Sequence, residues 1–415
     1  MRDGLGVRLQ DPMDRSRREE LPTMKALILD AEALTANLKA IARPSPAPDE
    51  IEVQVEAIGL NPVDPLYVSD PLAASGRTIG SDFAGRVISL GSTVPPSSGL
   101  RVGDQVSGFL QGACSVSDRP GAFAEYLVVP WDLLWKLPES VTVEEAAGVS
   151  LVALTAAQGI YYCLGLQAPF AYDKQRKPDE HPEWADFQSK DAPDAVNFFI
   201  YGASTSVGLF AAQLVRHSAK ASGKSIKLFG AASKSRWAML KADPYDYNLL
   251  VDYRDEDWAE QIKKLSGETG MHYFYDCISE GTSVQRCTST LNARGRSVVV
   301  RSRPGGAWAA DNLSVEPIYN AVWEGLGEEV KYKGMTVKKS PAAREFAVAF
   351  YRWLSEVNGT SLKPVPVRLM PGGLEKVVKD GFQLLGAGTM SDRDVKRDEE
   401  WMRPVSAEKL VYRIS

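Results

Sequence analysis

Histidine and cysteine are scarce in this chain of 415 residues: only His181, His217 and His272, with Cys114, Cys163, Cys277 and Cys287. The cysteines form no CxxC pair and the histidines stand apart from them, so the clustered ligands of a zinc site are missing. No metal is expected. Four sparse thiols suit a reducing compartment, and a cytoplasmic location follows. Long apolar runs are lacking too: no stretch reaches the ~18 residues that a membrane span needs. Positive charge is not in excess. A net charge of −5 argues against a nucleic acid or an anionic membrane surface as partner. The opening "MRDGLGVRLQDPMDRSRREELPT" has no apolar core of signal-peptide length and carries both charge signs. It reads as a disordered extension over 1–23, with the fold starting at Met24.

What is present is the composition of a folded chain, 44% hydrophobic and 24% charged, long enough for two domains. "MKALILD", "EIEVQVEAIGL", "DFAGRVISLG", "VGDQVSGFL" and "GAFAEYLVV" are short strands punctuated by Gly, Pro or Asp. They predict a partly open, antiparallel, barrel-like domain. "TVEEAAGVSLVALTAAQGIYYCL" then changes to helical character, with Thr142 and Glu145 spaced as a capping box. Residues 165–195 are hydrophilic and read as a charged surface loop. From "NFFIYGA" to "GRSVVV", continuous apolar strands alternate with amphipathic helices, which predicts a parallel, doubly wound sheet. After about residue 310 the segments look less regular, ending in "EKLVYRI", a strand expected to rejoin the first domain.

One stretch carries chemistry. "FIYGASTSVGLFAAQLVR", residues 199–216, runs from an apolar strand through a glycine–serine turn into an apolar-faced helix. A diphosphate needs backbone N–H groups presented at a helix N-terminus. Gly202 allows the tight turn and Gly208 allows close packing of helix on sheet. Between them stand Ala203, Ser204, Thr205, Ser206 and Val207, so the middle glycine of the full fingerprint is missing. The hydroxyls offer donors in its stead; a capped turn with no ligand is the alternative. At the end of the next strand an NAD site places an acidic residue on the ribose. This chain has Ser233, Lys234, Ser235 and Arg236 there. Cations and hydroxyls suit a 2′-phosphate that a carboxylate would repel, which favours NADPH over NADH. A helix cap with solvated charges beside it is the plainer alternative. Tyr253, at the end of the third strand, is placed either to stack on adenine or to pack.

"GLNPVD", "GSDFAG", "VGDQVSGF", "GAFAEYLVVP", "LTAAQGI", "IYGASTSVG" and "DCIS", in that order and spacing, resemble the medium-chain dehydrogenase/reductase superfamily. The resemblance covers nearly the whole chain from Met24 to Ser415. Within it, "YGASTSVG" with "SKSR", "LMPGGLEKVVKDGFQLL" and "VSAEKLVYRI" is most similar to fungal trans-acting enoyl reductases, stand-alone partners of polyketide synthases. The implied fold is α/β. A GroES-like, partly open β-barrel catalytic domain takes residues 24–160 and 310–415, and a Rossmann-type doubly wound nucleotide-binding domain takes 161–309. The resemblance also implies that Asn61, Pro62, Val63 and Asp64 border the cofactor, while Thr155, within 151–158, lines the nicotinamide and substrate side. Ser204, Thr205, Ser206 and Val207 would hold the diphosphate, and Ser233 to Arg236 the 2′-phosphate. Tyr253, Val405 and Ser406 match further cofactor contacts. Zinc-dependent relatives carry Cys in place of "NPVD" and Gly-His-Glu in place of "GSDFAG"; neither occurs here. The implied activity is NADPH-dependent reduction of the C=C bond of an α,β-unsaturated thioester, presented by a polyketide synthase or hybrid synthetase.

The chain departs from that pattern in one place that bears on protonation. Family members commonly carry a lysine shortly after the aspartate of "NPVD"; here Leu66 stands there and Pro65 stiffens the turn. Tyr67 is the nearby candidate proton donor, with a buried packing role as the alternative. A charged insertion after Thr389 is expected to bulge as a loop. Two other readings stay open: a non-redox cleft protein that binds NADPH and shapes a polyketide chain, and a soluble quinone or alkenal reductase.

Overall fold

The computed structural model describes residues 22–113, 119–173, 195–332, 335–387, 389–393 and 397–414. Most of the extension expected at 1–23 and of the loop expected at 165–195 lies outside the described residues, as do Cys114 and His181.

Alternating apolar residues build the first lobe. An antiparallel hairpin, β1 (Thr23–Asp30) and β2 (Thr35–Ala42), precedes β3 (Glu50–Gly59), β4 (Asp82–Leu90), β5 (Gln105–Phe109), β6 (Tyr126–Pro130) and β7 (Leu134–Lys136). Along β3, Ile51, Val53, Val55 and Ala57 are wholly buried, the period-two pattern of a strand with one face on the core. A short helix, α1 (Val63–Ser69), follows β3 directly, and α2 (Val143–Ala147) and α3 (Ser150–Ala157) lead out of the lobe. The expected capping box is made: the Thr142 hydroxyl accepts from the Glu145 amide and the Glu145 carboxylate accepts from the Thr142 amide.

The second lobe alternates strand and helix: β8 (Ala195–Tyr201), α4 (Ser206–Ser222), β9 (Ser225–Ala231), α5 (Trp237–Lys241), β10 (Leu249–Val251), α6 (Trp258–Ser266), β11 (Met271–Asp276), α7 (Ser283–Thr288) and β12 (Leu291–Val299). Its sheet is parallel, in the order β10-β9-β8-β11-β12, and it is edged by β13 (Ile318–Tyr319). Phe198, Phe199, Leu228, Phe229 and Phe274 are wholly buried, as strands covered on both faces require. The strand order turns outward in both directions from β8, so the crevice at its carboxyl end is a topological switch point.

Two features differ from the sequence reading. The nucleotide sheet runs on past residue 309, because Ile318 and Tyr319 pair with Val298 and Val299. The stretch read as less regular contains, after a small hairpin of β14 (Val330–Tyr332) and β15 (Met335–Val337), a 17-residue helix, α8 (Pro341–Val357). Ser340 caps it by accepting from the Ala343 amide, Pro341 opens it, and Phe346, Ala347, Phe350 and Leu354 bury one face.

The chain then returns to the barrel. β16 (Val367–Leu369) and β17 (Lys409–Arg413) extend its sheet in the order β16-β17-β3-β4-β5-β7, with β6 on β3. At the head of β17, Lys409 is 4% exposed and donates to Asn61 Oδ1 and Asp82 Oδ2, each at 2.7 Å. The other Asp82 oxygen accepts from the Leu151 amide at 2.8 Å. One buried ion pair thus joins β17 to the start of β4 and to the N-terminus of α3. Removing one partner of such a pair leaves an uncompensated buried charge. Lys409→Met is therefore expected to cost roughly 3–5 kcal/mol of stability, read by thermal and denaturant unfolding. Adding Asp82→Asn to it should recover part of the loss, and a neutral single variant would refute this account of the pin.

Candidate functional site

The turn after β3 is built from groups that bond one another. Asn61 is 1% exposed; its Nδ2 donates to Ser81 Oγ and to Asp82 Oδ2, both at 2.9 Å, while its amide donates to Asp64 Oδ2 at 2.7 Å. Ser81 Oγ in turn donates to Asp64 Oδ1 at 2.7 Å. Burial pushes the Asp64 carboxyl up to about 7, against the pull of these two donors. Asp64 is therefore a structural carboxylate beneath the turn. Pro62 is exposed and Val63 half-buried, so these two form the accessible rim.

Tyr67 follows on α1 at 4% exposure. Its ring lies 6.1 Å from that of Trp323, and its hydroxyl accepts from Gln111 Nε2 at 3.4 Å. Leu66 is buried. The other face of α1, with Pro65, Val68 and Ser69, borders an open cleft of about 650 Å³. Helical spacing turns Tyr67 away from that cleft. Thr155 is 5% exposed, and its hydroxyl donates to the Leu151 carbonyl of its own helix at 2.7 Å. Its carbonyl accepts from Tyr275 Oη at 2.8 Å and Asn320 Nδ2 at 2.7 Å, which locks α3 to β11 and to the 320 segment.

The second half of the site lies at the carboxyl ends of β8, β9 and β10. Gly202 has φ +76°, and a Cβ on Gly208 would lie 2.4 Å from the Gly202 carbonyl, so both glycines are needed for α4 to start where it does. Thr205 is the helix cap. Its hydroxyl accepts from the Gly208 amide at 3.0 Å and donates to the Gly202 carbonyl at 2.8 Å, so its proton is committed to the turn. Ser204, Ser206 and Val207 stay half-buried at the mouth of α4. A cradle with two close-approach glycines, two such hydroxyls and the first amides of a 17-residue helix fits a dinucleotide diphosphate.

Ser233 is buried at the end of β9, and Lys234 and Ser235 are exposed. Arg236 Nε donates to Ser406 Oγ at 3.0 Å, a contact between the two lobes. Val405, beside it, is half-buried. Tyr253 is 46% exposed, with the Arg254 guanidinium 5.3 Å over its ring. Two carboxylates enter this corner from the next strand. Asp252 accepts from the amides of Lys234 at 3.2 Å and Arg254 at 3.1 Å, and Asp255 lies 3.9 Å from Lys234 Nζ. Burial raises the Asp252 carboxyl, but those amides and the two neighbouring cations together hold it below the usual range.

The sequence reading missed Lys409 beside Asn61, Gln111 beside Tyr67, Asn320 on Thr155, and Asp276. The Asp276 carboxylate closes β11 by accepting from the Ile278 and Ser279 amides and from the Ser283 hydroxyl, and burial pushes it up to about 6. Of these, Asp276 had a local signal in "DCIS". The insertion after Thr389 crosses to the other lobe, where the Met390 amide donates to Glu280 at 2.9 Å. Residues 394–396 of that insertion lie outside the described residues.

Residues 47–139 match the alcohol dehydrogenase GroES-like domain. The trans-enoyl reductase caaB of Aspergillus niger is 30% identical over 355 residues, 84% of this chain and 89% of its own. The trans-enoyl reductase RAP2 of Pyricularia oryzae is 30% identical over 352 residues, 82% of this chain and 88% of its own. Among solved structures, the CurK enoyl reductase matches with a TM-score of 0.66 at 17% identity, over 95% of this chain and 100% of its own. A mycobacterial protein solved in complex with NADPH matches with a TM-score of 0.61 at 19% identity, over 94% and 99%. At such identities the structures show a shared fold.

The raised Asp64 carboxyl sets a pH dependence. A carboxyl higher in the folded than in the unfolded chain contributes stability that is complete below its ordinary 3.8 and is lost as pH rises toward 7. Asp64→Asn should flatten the fall in unfolding free energy across that window, which for one proton reaches ~1.4 kcal/mol per pH unit. Urea unfolding of both proteins at several pH values measures the slope; an unchanged slope would rule Asp64 out as its source.

Proposed function

As the chain belongs to the trans-enoyl reductases of the medium-chain dehydrogenase/reductase superfamily, we propose that it reduces an α,β-unsaturated thioester carried by a polyketide synthase or hybrid synthetase, using NADPH. It is an oxidoreductase of C=C bonds, and its fold serves a nicotinamide cofactor. NADPH in particular is supported by one observation above all. At the end of β9, where an NAD site needs a carboxylate, the chain presents Ser233, Lys234, Ser235 and Arg236, with Ser406 on Arg236. The carboxylates nearby are otherwise engaged: Asp252 accepts two backbone amides, and Asp255 faces the Lys234 ammonium.

When bound, the reduced nicotinamide supplies the hydride for the β-carbon of the substrate. The chain's residues do the rest. The first amides of α4, with Ser204 and Ser206, orient the diphosphate. Pro62 and Val63 form the rim of the nicotinamide side, held by the bonded turn beneath them. Thr155 keeps α3 in register with β11. In this reading Tyr67 gives the proton to the α-carbon on the inner, Trp323 and Gln111 side of α1, away from the open cleft, and the Gln111 N–H at its oxygen stabilises the phenolate left behind. No helix among the described residues is long and apolar enough to cross a membrane. We place the reaction in the cytoplasm, a reducing compartment that suits sparse, buried thiols such as Cys163, Cys277 and Cys287.

NADPH oxidation followed with a crotonyl-type thioester, with a free quinone and with no acceptor tests the reaction. Thioester turnover supports it; tight binding of NADPH with no oxidation by any acceptor rules it out. Lys234→Ala with Arg236→Ala should weaken NADPH far more than NADH, by on the order of 1.5 kcal/mol per cation, the low end for a charge-assisted bond because Lys234 is well exposed. Equal losses for the two nucleotides would refute the seat. Tyr67→Phe should lower kcat about a hundredfold with little change in KM, and an unchanged kcat would assign the proton to water.

A further inference from the structure

Arg368, in β16, is 5% exposed and has no part in the chemistry proposed above. Its Nη1 donates to the carbonyls of Trp401 at 2.9 Å and Arg403 at 2.6 Å; its Nη2 donates to the Pro404 carbonyl at 3.1 Å and to the Glu408 carboxylate. Three carbonyls of one loop are therefore turned onto a single planar cation. Glu408 closes the clamp. It accepts from Arg368, from Arg403 Nη2 at 3.0 Å and from the Ser406 backbone N–H. Burial alone would raise that carboxyl, yet these donors hold it below its ordinary value, so the loop is tied by a charged group. Between the tied residues Ala407 sits at φ +58°, a conformation that residues with a Cβ rarely adopt and that persists only where its surroundings impose it.

The residue so held is Ser406, whose hydroxyl accepts from Arg236 Nε at 3.0 Å. A path of contacts therefore runs from Arg368 through the 401–408 loop to the arginine of the opposite lobe. With Nε engaged, the two Nη nitrogens of Arg236 are the donors it offers to an anion.

We infer that Arg368 is a positioning residue for the phosphate end of the dinucleotide site: by clamping the 401–408 loop it sets Ser406 against Arg236 and thereby fixes the preference for a 2′-phosphorylated dinucleotide. The inference rests on the NADPH seat proposed above. It also makes that seat a joint property of both lobes, since Ser406 comes from one and Ser233 to Arg236 from the other.

The test is the ratio of Kd for NADH to Kd for NADPH, measured by fluorescence titration of the full-length chain. The variants are Arg368→Lys, Ser406→Ala, the two together, Glu408→Gln, and Lys234→Ala with Arg236→Ala. Arg368→Lys and Ser406→Ala should each lower the ratio roughly tenfold, the factor that corresponds to ~1.4 kcal/mol. The double variant should lower it no further, because both changes break the same path. Glu408→Gln, a milder change at the other end of the clamp, should lower the ratio in the same direction and covers the case in which Arg368→Lys does not fold. Additive losses, or losses equal for the two nucleotides, would overturn the inference. If the Lys234 and Arg236 variant changes the ratio while the clamp variants leave it alone, the inference falls and the seat stands. If the Lys234 and Arg236 variant also leaves it alone, both fall.

Discussion

The buried pairing of Lys409 with Asp82 is the constraint on which the rest of this molecule depends. A charge this far from water is tolerable only with its partners in place, so the last strand cannot leave the barrel without leaving the Asp82 carboxylate in the interior without its cation. Fixing β17 fixes β16 alongside it, and β16 carries Arg368. Fixing Asp82 fixes the Leu151 amide at the head of α3 and the Asn61 side chain at the head of α1. The turn at Asn61 and the segment that carries Ser406 to Arg236 thus hang from one ion pair. That pair need not add net stability to be indispensable: it sets the register of what surrounds it.

The two lobes meet through polar contacts as well as apolar ones. Gln158 Nε2 donates to the Ala321 carbonyl at 2.9 Å, and Asn320 ties the Thr155 carbonyl and the Tyr275 hydroxyl together. On the outer side, Met390 reaches Glu280 and Ser406 reaches Arg236. The inner set is buried and holds α3 against the end of β11; the outer set is half-buried or exposed and lies along the edge of the site. Buried bonds of this kind are costly to break and exposed ones are not. Any movement between the lobes would therefore open the outer contacts first, while the inner ones act as the pivot.

How much of this was legible in the sequence depended on distance along the chain. The strand, turn and helix at 195–222 were readable because Gly202, Gly208 and the hydroxyls act within one local unit. The capping box at Thr142 and the apolar strands of the parallel sheet were readable for the same reason. Helix α8 was present in the sequence as an apolar stripe behind a Ser-Pro start, but surrounding charge and short flanking segments masked it. What no local pattern reveals is pairing across the chain. Lys409 lies 348 positions from Asn61, and Ser406 lies 170 from Arg236. Val405 and Ser406 came into view only through resemblance, and Arg368 did not come into view at all. Asp252 shows a subtler limit. It stands at a strand end, where an acidic residue invites a ribose, and only its two amide donors, Lys234 after the preceding strand and Arg254 in its own turn, show it to be occupied.

The absence of a lysine after Asp64 takes on meaning from the packing around it. Leu66 and Tyr67 are both buried, and Tyr67 is boxed by Trp323 and Gln111. A lysine at residue 66 would have to carry its ammonium into that apolar surrounding, where burial opposes the charged form. A phenol suits such a place better, because it is neutral; in the proposed reaction the Gln111 N–H at its oxygen would stabilise the anion left once the proton is given up. The burial that makes a lysine unwelcome also raises the cost of the phenolate, so the balance turns on Gln111. Its Oε1 is buried without a partner while its Nε2 faces the tyrosine, which orients the amide toward stabilising negative charge on the phenol oxygen. Under the role proposed for Tyr67, the missing lysine and the presence of Gln111 are two sides of one local solution to moving a proton in an apolar pocket.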